Sequence, residues 1–200
     1  MSDFSFLKNP KRRVRNNGVY IGENNVFFPV NLEEIKEAEA LLGEELPDQL
    51  KDFYMQIGYG HLTTPHNPPL DYECRSSNEI LPPIVVANFS KGILQWKWQE
   101  NWMSEDMAYD LLEPGDLPFF EMYDSTHFLI MKIHSDNPNA VWTLSNIKIE
   151  DSFEKFIWRL YYESPGYYGD IIESHYKKAK TRHNLPPDAF FERPKNRDMF

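Results

Sequence analysis

The chain of 200 residues is 41% apolar and 26% charged, which suits one globular domain with a sizeable core and excludes disorder throughout. Its lone cysteine, Cys74, excludes an intrachain disulfide framework; no stretch reaches the roughly 20 apolar residues of a membrane span, and MSDFSFLKNPKRRVR reverses the order of a secretory signal, so the expected compartment is the cytoplasm. The formal charge of −10 conceals basic ends, with five basic residues in 8–15 and seven in 177–197, around a body (16–176) whose nine bases and 27 acids leave −18. Such a body repels nucleic-acid phosphate and suits a cationic protein partner, though plain solubility explains acids equally well.

Residues 1–15 read as a basic N-terminal arm, flexible yet able to dock on the body, because they lack periodicity. Val19, Ile21, Val26, Phe28 and Val30 predict extended structure with a turn at Glu23–Asn25. Asn31 followed by Glu34 has the spacing of a capping box, and Leu32, Ile35, Ala38 and Leu42 continue a helix to Gly43. Pro47 opens a second helix carried by Leu50, Phe53, Tyr54 and Ile57 and stopped by Gly58. Acids from Glu33 to Asp52 flank both apolar stripes, predicting a pair that packs through one face and shows an acidic face to solvent.

Five prolines predict a long surface loop from His61 to Pro83. Strands are then expected at Ile84–Asn88, Gly92–Gln99, Leu117–Phe120, Thr126–Ile133 and Ala140–Leu144, with connections short enough for an antiparallel sheet. Ser152 caps a third helix with Phe153, Phe156, Ile157 and Leu160 on one face, and a fourth is expected from Tyr168 to Lys180. The fold class is therefore α+β, a mainly antiparallel sheet with helices packed against it. The domain spans 16–176, and 177–200 is a basic C-terminal extension.

No catalytic constellation emerges. Cys74 lies in DYECRSS without a turn to expose it, Ser90 and Ser125 lack a nucleophile elbow, and nine glycines form no phosphate-binding pattern. His61 with His66, and His127 with His134 near Asp124 and Asp136, are the residues to test for zinc or iron. An offset of seven sends His127 and His134 to opposite faces of a regular strand, so no metal and no cofactor are expected. Glu121 with Asp124, and Glu150 with Asp151, stand where turns and caps attract acids for local hydrogen bonds. Trp96, Trp98 and Trp102 fill the core or form an interaction hot spot, and the scarcity of nearby bases argues against an RNA platform.

The run IKEAEALLGEELPDQLKDFYMQIGYG resembles the start of SUKH-superfamily domains, through Ile35, Ala38 and Glu39, then Leu46 and Pro47, then Phe53 before a glycine turn. LPFFEMYDSTHFLIMKI, VWTLSNIKIEDSFEKFIWRL and KGILQWKWQEN are similar to its later strands and closing helix, so the resemblance covers about Asn31–Tyr162. It departs in the proline-rich loop, in GYGH after the second helix and in both tails. This superfamily includes the Smi and Knr regulators of fungal glucan synthesis and many bacterial toxin-immunity proteins. The resemblance implies a SUKH-like fold that acts by binding and not by catalysis. It implies an immunity protein that neutralises a basic cognate toxin, a nuclease above all, by steric occlusion; the alternative is a scaffold or regulatory adaptor of the Smi and Knr type. Glu100, Trp102, Glu105 and Asp106 are the expected part of the contact patch.

Overall fold

The computed structural model describes residues 1–7, 26–62, 78–93, 112–122, 128–163 and 166–183. Two compact units are present, Met1–Tyr167 and Tyr168–Phe200. The first carries seven strands among its described residues: β1 (Val26–Phe28), β2 (Tyr59–Leu62), β3 (Asn78–Ile80), β4 (Asp116–Glu121), β5 (Phe128–Lys132), β6 (Val141–Thr143) and β7 (Lys148–Glu150). They form one antiparallel sheet in chain order, so every strand lies beside its sequence neighbours. The helices α1 (Leu32–Leu42) and α2 (Asp48–Gln56) separate β1 from β2, α3 (Pro83–Ser90) separates β3 from β4, and α4 (Phe153–Tyr162) follows β7. The architecture is α+β, as the sequence predicts. In the second unit the described element is α5, which begins at the boundary and runs Tyr167–His183. Among the described residues no helix is long and apolar enough to cross a membrane.

Local chemistry explains the two best-punctuated helices. The Asn31 side chain accepts from the Glu33 and Glu34 amides at 2.9 and 3.0 Å while Glu34 Oε2 accepts from the Asn31 amide at 2.8 Å, closing a capping box. Gly43 ends α1 in the left-handed conformation at φ 73°. Pro47 is the residue before α2 and not its first turn, one position from expectation. Ser152 caps α4, and its hydroxyl and the Glu154 amide both donate to the Gln49 side chain at 3.0 and 2.9 Å, tying α4 to α2.

The core is built from phenylalanines. Phe53 of α2 meets Phe153 of α4 edge-on at 5.4 Å, Phe153 meets Phe119 of β4 at 5.3 Å, and Phe120 meets Phe156 at 5.0 Å. Phe4 is fully buried and extends this cluster, 5.1 Å from Phe53 and 5.8 Å from Phe153. Its segment is held by side chains: Ser2 N–H donates to Asp52 (2.6 Å), Asp3 N–H to Glu154 (3.1 Å) and Phe4 N–H to Gln56 (3.1 Å), while Gln56 returns a bond to the Ser2 carbonyl (2.7 Å). Residues 1–7 are thus part of the packed unit, and the basic run begins only after them.

Three expectations need correction. Ile84–Asn88 is not a strand but most of α3. Pro82 and Pro83 set its first turn, and Pro83, Val86, Ala87 and Phe89 are buried at helical spacing, so packing outweighs the strand preference of Ile84, Val85 and Val86. The stretch His61–Pro83 is not one loop, since it contains the end of β2, all of β3 and the start of α3. β3 escaped notice because NEI is three residues long and has no alternation to read. The third is β7, an unexpected strand whose Ile149 and Glu150 are buried. Phe119, Leu129 and Val141 lie buried within the other predicted strands, and α5 matches the expected fourth helix to within a few residues. The expected strand at Gly92–Gln99 runs into undescribed residues after Ile93, and the turn at Glu23–Asn25 lies outside them as well.

Candidate functional site

Two surfaces of the first unit carry recognisable chemistry. One is the acidic helical pair. Residues 31–60 hold Glu33, Glu34, Glu37, Glu39, Glu44, Glu45, Asp48 and Asp52 against only Lys36 and Lys51. Glu39 faces inward, where it accepts from the Leu46 amide at 2.9 Å and lies 3.4 Å from Lys51. Lys51 also reaches Glu45 at 2.9 Å. Its partial burial disfavours charge, but these carboxylates outweigh that effect and raise its pKa. The same hydrogen bond and the Lys51 charge lower the Glu45 pKa. Glu33, Glu34, Glu37 and Glu44 are exposed, so the acidic face predicted from the sequence is present.

The second is a cleft of about 420 Å³ where α1, α3 and the β4–β5 pair meet. One wall is the end of α1, with Leu42 and Glu44; another is the end of α3, with Phe89 and Gly92. The remaining side is the lead into β4 and the exit from β5. His134 joins these parts. Its Nδ1 lies 3.2 Å from the Pro114 carbonyl oxygen and its Nε2 lies 2.8 Å from Glu44 Oε2. Both neighbours are acceptors, so the ring donates to both at once only as imidazolium. The ring approaches because residue 115 is glycine: at φ 90° a Cβ there would lie 2.5 Å from His134 Nδ1. Across the mouth Glu113 Oε2 lies 3.2 Å from Lys132 Nζ, which is 3.6 Å from the buried Asp116.

A third polar cluster is structural. Glu150, with a side chain only 6% exposed, lies 2.7 Å from Lys155 and 3.0 Å from Arg159. Burial alone would raise its pKa, but hydrogen bonds from both cations lower it. Arg159 continues to Glu163 at 2.7 Å and covers the Tyr167 ring at 4.0 Å. Glu150 therefore anchors α4 to β7, and it also takes the local bond expected of it, from the Asp151 backbone. Asp151 does have a local partner, Lys148 at 2.6 Å.

Of the four histidines tested for metal binding, the described ones, His61 and His134, meet different partners. β5 ends at Lys132, so His134 lies beyond the strand and the opposite-face argument does not apply to it. His61 lies 3.8 Å from Glu79, its neighbour across β2 and β3. His66, His127, Cys74, Asp124 and Ser125 lie outside the described residues, and among the described residues no group of three candidate ligands could hold a metal ion. Glu100, Trp102, Glu105, Asp106, Trp96 and Trp98 also lie outside them. The flanks of that segment are nonetheless informative, because Gly92 on one side and Leu112 on the other both line the cleft. Sequence reasoning missed the cleft, whose Glu44 and His134 are 90 residues apart.

Residues 29–159 match the SMI1 / KNR4 family (SUKH-1). The chain belongs to this family. The match begins just before α1 and ends within α4, so both the acidic pair and the cleft lie inside the SUKH-1 region. This SUKH-1 chain is similar to the Immunity protein YxxD of Bacillus subtilis (strain 168), with 29% identity over 157 residues, 78% of this chain and 97% of the relative. No solved structure matches the chain.

Proposed function

We propose that this SUKH-1 protein is a non-catalytic immunity protein acting in the cytoplasm, which binds a basic toxin, expected to be a nuclease, and covers its substrate-binding face. The observation that carries this reading is the similarity to an immunity protein over 97% of that relative's length. Charge supports the choice of partner: the −18 of residues 16–176 favours approach of a cationic surface, and a nuclease is cationic where it holds phosphate. Charge complementarity of this kind accelerates association and makes it salt-dependent. Glu100, Trp102, Glu105 and Asp106 remain the proposed part of the contact, on a segment whose flanks line the cleft.

The test is co-expression with the product of the adjacent gene. The expected result is a toxic product whose toxicity disappears in the presence of this protein, and a complex that survives gel filtration. Its association rate should fall at least tenfold as salt shortens the Debye length from about 30 to about 8 Å. A neighbouring product that is neither toxic nor bound removes the reading. A partner that binds yet keeps full activity supports the Smi and Knr type of scaffold instead.

A further inference from the structure

We propose that the cleft between the carboxyl-terminal ends of α1 and α3 receives a lysine or arginine side chain of the partner, its charged head at Glu44 and Glu113 and its methylenes along Leu42, Phe89 and Ile133. The choice of a basic protein as occupant rests on the immunity reading above; the chemistry of the cleft is argued independently. Two helices end here, and each brings the negative end of its dipole. At α1 no basic residue in the last turn offsets this, whereas Lys91 directly follows α3 and offsets part of it there. Glu44 and Glu113 add full charges at the mouth, with side chains 42% and 69% exposed and therefore reachable.

The nearby lysines are committed elsewhere: Lys91 caps α3 and Lys132 is shared between Glu113 and Asp116, while among the described residues Glu44 has only the His134 ring as its present partner. An incoming guanidinium offers Glu44 a two-point pair that an imidazole cannot, and His134 keeps its bond to the Pro114 carbonyl. The apolar walls suit a side chain that buries its stem and presents a charged tip. The volume of about 420 Å³ is in the range of pockets that hold small ligands.

A toxin-free experiment tests this. The full chain, labelled with nitrogen-15 and on its methyl groups, is titrated with the capped tripeptide glycyl-arginyl-glycine amide. The control is the same peptide with citrulline, which keeps the shape and loses the charge. The arginine peptide is expected to shift Leu42, Gly92, Leu112, Gly115 and Ile133 with a dissociation constant in the millimolar range, at least fivefold tighter than citrulline. The double variant Glu44→Gln, Glu113→Gln should remove that difference while leaving distant resonances unmoved. Equal binding of the two peptides, shifts confined to the exposed acids of α1, or an unchanged response in the double variant would each overturn the proposal. Failure of the immunity reading would appear only in the co-expression test, so the two failures are distinguishable.

Discussion

Replacing Phe4 with alanine tests whether the first residues belong to the core. The ring is fully buried, and truncating a buried phenylalanine costs about 3–5 kcal/mol where neighbours cannot close the gap. Loss of the ring removes contacts with Phe53 and Phe153, each pair contributing about 0.5–1.5 kcal/mol beyond burial. A terminal segment has a second response, however: it can detach, which limits the loss to its own docking free energy. The expectation is therefore the lower end, about 3 kcal/mol in urea unfolding, together with exchange of the Phe4 amide, which Gln56 accepts in the native protein. Gln56→Ala removes two of the segment's hydrogen bonds and is expected to cost about 1–2 kcal/mol. Substitution of Phe4 that changes stability by less than about 0.5 kcal/mol and leaves amide protection of residues 2–7 intact would refute the reasoning, because it would mean the aromatic contacts carry no load.

Two further outcomes follow from the same structure. The pKa of Glu150 is held below its ordinary 4.5 in the folded state, so its contribution is complete above the unfolded value and is lost as pH falls through the lower folded one. Glu150→Gln is expected to cost about 1–3 kcal/mol at neutral pH and to flatten the acid side of the stability profile, measured by urea midpoints at a series of pH values. Gly43 and Gly58 both have positive φ, at 73° and 108°, but a Cβ at Gly43 meets nothing within 4 Å whereas one at Gly58 overlaps the Phe28 carbonyl oxygen. Thermal unfolding should therefore show Gly43→Ala losing about 1 kcal/mol and Gly58→Ala losing more than about 3 kcal/mol, since β1 must move away.

What the sequence by itself determined is everything set by local chemistry. The capping box at Asn31 and Glu34, the stop at Gly43, the cap at Ser152 and the apolar stripes of α1, α2 and α4 all act within a turn or two of the chain. The order of elements was legible for the same reason and carried the family resemblance. Tertiary structure decided what depends on neighbours distant in sequence. Ile84, Val85 and Val86 prefer strands in isolation, yet Pro83 and burial of Val86, Ala87 and Phe89 make them helical. Short strands such as β3 and β7 exist only through their partners in the sheet. Phe4 reads as part of a polar arm until Phe53 and Phe153 surround it. The cleft has no signature in the sequence, because Glu44 and His134 meet only when α1 packs on α3 and α3 on β4, and Gly115 leaves room for the ring.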